Sequence, residues 1–464
     1  MGGPVSEEEA QTLRVSRERL RQLARKSNYS GWRMHGSWDP ILIVRAEGVR
    51  FWDQSGTEYL DLASQLVSSN LGHSNPAVLA ALRSQAESVA FVNPSFTTAI
   101  RGEVSEKLLE VLPEGLEHFF FSTSGTEANE AATRIARLAT GREHILARTR
   151  SYHGATAASI ALSGDPRRLA TPPSSTVPGT LFAPDCYCYR CPFGLTYPSC
   201  DVRCARDVDT ILEKDGNTAA MIVEPVVGTN GVIPPVPEYM PMIREITRRH
   251  GVLLVADEVM TGWGRTGAWF AMDHWKVVPD ILTTAKGLTG AYAPLALTAT
   301  STAVSERLRS HFLPLGHTYE AHPLGLAAAG AAIDEYRRQG LIEKSRIDGL
   351  YLLDRLREMK SRHPSVGEVR GLGLFAGIEL VKDASRRTPF NDGSEYTAGS
   401  PLLVDEVLRA LRQEGVYALG WISHLIVAPP LTISRADLDT GLRALDRALY
   451  ITDEHVTPPP ESAD

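Results

Sequence analysis

Two kinds of patterning alternate along most of this chain. Segments with apolar residues at helical spacing are separated by short, nearly continuous apolar blocks. The blocks are His118–Ser122, His144–Ala147, Ala219–Glu224, Val252–Asp257 and Ile281–Thr284. Such blocks are too short for helices and too uniformly apolar for half-exposed strands, so they predict strands buried on both faces. Helices between buried strands predict an α/β fold built on a mostly parallel sheet. Ligands of such sheets gather at the C-terminal ends of the strands.

The flanks read differently. Residues Ser6 to Lys26 are charged and amphipathic, which predicts a helical arm. Arg45–Leu62 alternates apolar and polar positions around Asp53-Gln54-Ser55-Gly56, a hairpin with a turn signal. Beyond about Leu341 the rhythm changes (VGEVRGLGLFAGIEL, then LIVAPPLTI). The chain therefore divides into an arm plus part of a small α+β domain (1–74), a large domain (75–340), and the rest of the small domain (341–464). The tail after His455 is proline-rich and polar, and reads as disordered.

A chain of 464 residues is long enough for two lobes. The net charge of −7 gives no reason to expect nucleic acid or an anionic membrane as partner. No apolar run approaches the roughly 20 residues of a membrane helix. Met1–Ser6 fits a loose myristoylation pattern that matches often by chance, and a cytoplasmic enzyme is the expectation. All five cysteines fall between Cys186 and Cys204, unlike the spread that staples a secreted protein. Cys188, Cys191, Cys200 and Cys204 have the paired spacing of a structural zinc knuckle, and equally that of a loop of packed thiols.

Three strand ends carry chemistry. Phe120–Ser122 leads through Thr123-Ser124-Gly125-Thr126 into an alanine-rich helix. The first N–H groups of that helix lack intrahelical partners, so Ser124, Gly125 and Thr126 could cradle a phosphate; an ordinary capped helix has the same pattern. Val252–Ala256 ends in Asp257, a carboxylate that could bind a metal, pair with a protonated ring nitrogen, or cap a helix. Ile281–Thr284 runs into Ala285-Lys286-Gly287. A lysine held partly out of water has a lowered pKa and a free amine for Schiff-base chemistry, whereas a lone Lys-Gly is usually a solvated loop. Cradle, acid and amine in this order are the three attachments a phosphorylated pyridine aldehyde needs.

The chain resembles the class III (ω-amino acid) aminotransferases, enzymes of fold type I that depend on pyridoxal 5′-phosphate. The motifs are SGTEAN at Ser124–Asn129, SYHG at Ser151–Gly154, EPV at Glu224–Val226, ADEVMTGWGRTG at Ala256–Gly267, AKGL at Ala285–Leu288 and HTYEAHPLGLAAA at His317–Ala329. The resemblance implies that Lys286 carries the cofactor and shuttles the proton, and that Asp257 keeps the pyridine nitrogen protonated. Tyr152 and Val259 would pack on the two ring faces, Ser124, Gly125 and Thr126 would hold the phosphate, and Glu224 would sit near the phenolic oxygen. Thr318 would reach that phosphate from a partner subunit, in a homodimer or a tetramer. The implied reaction is ping-pong transfer of an amino group from an amine or ω-amino acid to pyruvate or 2-oxoglutarate. Aminomutase, decarboxylase and racemase chemistry on the same scaffold, or a cofactor-binding protein without turnover, are the competing readings.

Some positions depart from the family. A carboxylate-binding arginine common in the family is replaced by Leu419, near Trp421, and a pocket tryptophan by Val67, beside Leu66. Leucine offers a carboxylate no bidentate partner, so Leu66, Val67, Leu419 and Trp421 predict a more open, apolar pocket suited to long amines or aldehydes. Arg370 is a substitute anchor by type, and reads more readily as a structural arginine. Arg265 reads as structural, and His153 as functional or as a neighbouring core histidine. Met260 and Trp263 stand where glutamine and phenylalanine are common.

Overall fold

The computed structural model describes residues 7–457. The pattern at Met1–Ser6 and most of the proline-rich tail, 458–464, lie outside the described residues. In chain order the strands are β1 (Ile43–Glu47), β2 (Arg50–Asp53), β3 (Glu58–Asp61), β4 (Leu116–Ser122), β5 (His144–Arg148), β6 (Thr180–Ala183), β7 (Thr218–Val223) and β8 (Leu253–Asp257). They continue with β9 (Ile281–Thr284), β10 (Ala296–Ser301), β11 (Val366–Gly371), β12 (Ala376–Asp383), β13 (Thr388–Pro389), β14 (Val416–Tyr417), β15 (Leu419–Trp421) and β16 (His424–Val427).

Strands β4 to β10 form one sheet in the order β4-β10-β9-β8-β7-β5-β6. Strands β5 to β9 pair parallel, and β10 alone runs antiparallel to both its neighbours. Every residue of β7, β8 and β9 is buried, which is why those blocks read as nearly continuous apolar runs. Two strands of this sheet, β6 and β10, were not among the expected blocks. Strand β10 is Ala-Leu-Thr-Ala-Thr-Ser, because the helix Gly125–Thr140 presses on it and leaves room only for small side chains. Thr298 donates to the Ala128 carbonyl of that helix at 2.9 Å, so its hydroxyl is satisfied in the core.

The predicted hairpin is β2–β3. Asp53 Oδ1 accepts from the Ser55 and Thr57 N–H groups at 2.8 and 3.0 Å, and Gly56 takes the left-handed φ of 87° that closes the turn. Strands β1, β2, β3 and β14 make a second sheet, with Leu60 beside Val416 in a parallel pair that ties the N-terminal segment to the C-terminal one. Strands β11, β12, β16 and β15 make a third, with β13 on β12. The expected arm is a helix, Glu7–Ser27.

Arg265 is wholly buried and pins these layers together. It donates to the carbonyls of Leu374 (2.8 Å) and Pro429 (2.7 Å) and to the side chains of Ser64 (2.9 Å) and Asn70 (2.7 Å). All four acceptors are neutral, so burial is not offset by a bonded carboxylate and pushes the guanidinium down to about 10. Its position is that of a structural tie.

Candidate active site

The candidate residues converge because each follows the C-terminal end of a strand in the large sheet. Ser124–Thr126 follow β4, Tyr152 and His153 follow β5, Glu224 follows β7, Asp257 closes β8 and Lys286 follows β9.

Lys286 begins a turn with a left-handed φ of 43°. The next residue must be glycine, since a Cβ at Gly287 would stand 2.6 Å from Asn70 Nδ2 and 2.8 Å from Trp263 Cβ. Surrounding protein strips water from the amine and brings its pKa from the ordinary lysine value down to about 8. Asp257 and Glu224 oppose that shift, Arg167 adds to it, and burial outweighs them all. The amine is therefore mostly neutral above about pH 8 and protonated below it. Reductive capture of pyridoxal phosphate by the apoprotein should accelerate about tenfold per unit up to roughly pH 8 and level off beyond it. A rate still climbing toward pH 10 would show that the depressed amine is not the capturing group.

Asp257 is buried and held from two sides. Its Oδ2 accepts from Asn129 Nδ2 at 2.7 Å and lies 2.7 Å from His153 Nδ1, while Oδ1 accepts from Val259 N at 3.0 Å. Asn129 is itself fixed by donating to the His153 carbonyl (2.8 Å) and accepting from Thr283 (2.6 Å). The carboxylate thus cannot turn, and Oδ1 keeps a lone pair for a further donor. Asn129 lies inside the SGTEAN motif, but nothing in the pattern said that it would hold Asp257. His153 Nε2 is buried without a partner among the described residues.

At the helix Gly125–Thr140 both readings of the motif turn out to coexist. Ser124 is the N-cap of a capping box, with Glu127 accepting from the N–H of Thr123 and Ser124 at 2.8 and 3.0 Å. That occupies the Ser124 N–H. The N–H groups of Gly125 and Thr126 make no hydrogen bond among the described residues, which leaves two donors at a positive helix end. Gly125 is required here too: a Cβ would stand 2.8 Å from Val259 Cγ1.

Glu224 accepts from the N–H of Tyr152 and Gly228, both at 2.9 Å. Burial raises its carboxyl above the usual range; Asp257 adds to this and His153 opposes it. Val259 packs with Ala128, Ala285 and Ala296. Thr318 lies on an exposed loop and makes no hydrogen bond among the described residues.

The four expected pocket residues occupy different environments. Val67 is buried with Val226, Val232, Phe375, Ile426 and Ala428, and Leu419 and Met260 pack against that cluster. Leu66, at 49% exposure, faces outward. Trp421 lies under the Arg167 guanidinium, 4.5 Å from its ring centroid. Arg370 makes a poor anchor, because Nε, Nη1 and Nη2 already donate to Gly231 O, Glu368 and Glu379.

Among the described residues no three of His, Cys, Asp and Glu are grouped so as to hold a metal. All five cysteines line one cavity of about 20 Å³. Cys186 is buried and engages both Cys188 and Cys204; the Cys188 contact lowers its thiol, but the Cys204 contact and burial outweigh it and push the thiol up to about 12.

Two residues at the site carried no signal in the sequence. Trp32, after the arm, meets Tyr152 edge-on at 6.3 Å, and Arg167 lies on the Tyr152 ring at 3.7 Å.

Comparison with known proteins agrees with this geometry. The family described as aminotransferase class III matches residues 34–449. A taurine–pyruvate aminotransferase of Bilophila wadsworthia is 32% identical over 90% of this chain and 94% of its own. A leucine/methionine racemase of Thermococcus litoralis is 33% identical over 90% and 92%. The crystal structure of a taurine:2-oxoglutarate aminotransferase from Bifidobacterium kashiwanohense, in complex with PLP and glutamate, superposes with a TM-score of 0.89. It is 32% identical and covers 95% of this chain and 99% of its own.

Proposed function

We propose roles for the site residues on the premise that the chain belongs to the class III aminotransferases and is a pyridoxal 5′-phosphate-dependent enzyme that transfers amino groups. The observation that carries the assignment is the Lys286 amine, poised at the end of β9 with burial outweighing two carboxylates. When bound, pyridoxal phosphate supplies an aldehyde that condenses with amines and a protonated ring that spreads the electron pair of an adjacent carbanion.

The donor set fits that group. Gly125 and Thr126 offer free N–H groups, and Thr126 a hydroxyl, to a phosphate. Asp257 offers Oδ1 to a protonated ring nitrogen, held in place by Asn129 and His153. Glu224, whose carboxyl burial raises above its usual range, would face the phenolic oxygen. Tyr152 and Val259 bracket the space between. Residues 75–340 are then the unit that holds the cofactor, and residues from both flanks close over it.

Lys286 Nζ would hold the cofactor through its aldehyde and be free when a donor amine is bound in its place. Nζ, free of the cofactor, would remove the proton from the substrate carbon that bears nitrogen and carry it across the C–N bond. Donor and 2-oxo acid acceptor occupy the site in turn. The apolar cluster behind Leu419 and Val67 supports a pocket that accepts long apolar chains.

The enzyme works as a homodimer in this reading. Phe91, Phe96, Phe312 and Tyr319 are exposed apolar side chains, and Phe91 meets Tyr319, next to Thr318, edge-on at 6.1 Å. Thr318 would then serve the partner's phosphate cup. No helix among the described residues is long and apolar enough to cross a membrane, and we place the enzyme in the cytoplasm.

The Thermococcus relative's name supports a second reading, racemisation of an amino acid. Half-reaction spectra separate the two. An amine donor alone should bleach the visible band of the bound cofactor, and pyruvate or 2-oxoglutarate should restore it. Inversion of an amino acid with no lasting bleaching would favour the racemase.

A further inference from the structure

The mechanism above leaves the turn Asp165-Pro166-Arg167 without a role. Pro166 opens a one-turn helix, Pro166–Leu169, and Asp165 caps it by accepting from Arg167 N at 2.9 Å. The same aspartate holds the arginine's head: Nε donates to Asp165 Oδ2 at 2.8 Å, and Nη2 donates to that oxygen as well. The two side chains are 10% and 0% exposed. Aromatic rings wall the guanidinium, with centroids at 3.7 Å for Tyr152, 4.5 Å for Trp421 and 5.5 Å for Trp32. Nη1, by contrast, donates to none of the described residues.

Arg167 is thus a cation at the catalytic site with one edge fixed and another free. Its charge reaches the Lys286 amine, and it covers the ring of the residue whose N–H is bonded to Glu224. A guanidinium fixed on one edge loses little freedom when the other edge meets an anion. Aromatic walls keep water away and strengthen such a contact. Neither Leu419 nor the fully engaged Arg370 offers a substrate anything comparable.

We propose that Arg167 is the anchor for the anionic end of the substrate, a carboxylate or a sulfonate, with Nη1 as the free donor and Trp32, Tyr152 and Trp421 as walls. This specificity role rests on the transaminase reading. It makes amino acids and amino sulfonates, beside the apolar amines expected from Leu419, the preferred donors.

The test uses the holoenzyme in single-turnover half-reactions with 3-aminopropanoate, 2-aminoethanesulfonate and propylamine, following the bleaching of the cofactor band. In Arg167→Gln the preference for an anionic donor over propylamine should fall about 10- to 100-fold, in the half-saturating concentration and not in the limiting rate. Arg167→Lys, which keeps the charge but not the fork, should lose less. Inhibition by propanoate, which cannot react, should weaken by a similar factor in Arg167→Gln. A loss shared by only one of the two anionic donors identifies which anion the site takes. An equal loss for all three amines, or unchanged preference, overturns the anchor and leaves the transaminase reading intact. A wild-type band that no amine bleaches overturns the transaminase reading itself.

Discussion

Lys286→Ala should yield a protein without the visible absorbance band of bound cofactor and with turnover lower by at least about 10³-fold, the scale on which a positioned proton carrier acts. The size of the effect follows from two losses at one atom. Nζ attaches the cofactor, and it also moves the proton. Its competence comes from its surroundings: burial lowers the amine to about 8 against the pull of Asp257 and Glu224. Arginine at 286 should do no better, because a guanidinium stays protonated and cannot act as the nucleophile. The phosphate cup and Asp257 are untouched in either variant, so weak, non-covalent cofactor binding should persist and be measurable by fluorescence. A Lys286→Ala enzyme that keeps both band and turnover would remove the assignment.

Asp257→Asn should retain the band but lower kcat by about 10²–10³-fold, the range for removing one preorganised electrostatic partner in a buried site. The change keeps shape and removes charge. The new amide oxygen can accept from only one of Asn129 and Val259, which donate to different oxygens of Asp257, so urea unfolding should be measured alongside to separate a lost fold from a lost charge. Without a fixed anion beside it, a ring nitrogen is no longer held protonated. His153→Ala should give a smaller loss in the same parameter, since His153 acts by holding Asp257 Oδ2 at 2.7 Å. A kcat for Asp257→Asn within about threefold of wild type would mean that the carboxylate is structural.

The sequence carried the parts of this site that depend on short stretches of chain. Strands β7, β8 and β9 are buried along their whole length, so each wrote an apolar block ending in a chemical group. Lys286-Gly287 and Ser124-Gly125 were legible because their glycines are forced by contacts at 2.6–2.8 Å, which no other residue could meet. Strand β10 left no block, because the helix above it admits only alanine, serine and threonine beside a single leucine. Arg167 was invisible for another reason. Its place on Tyr152 depends on where an intervening loop and a one-turn helix return the chain, and no periodicity encodes that. The cysteine window is another such case: identical spacings suit a zinc knuckle and a packed loop, so spacing alone does not choose between them. The capping box at Ser124 shows a milder case, where the bland and the chemical reading of one motif are both satisfied by different N–H groups.

The central claim is that Lys286 is the residue that carries the cofactor, and borohydride reduction of the holoenzyme followed by proteolysis and mass spectrometry tests it most directly. The peptide that contains Lys286 should bear a phosphopyridoxyl group at that lysine, near one per chain. A modified peptide from any other lysine, with Lys286 unmodified, would contradict it.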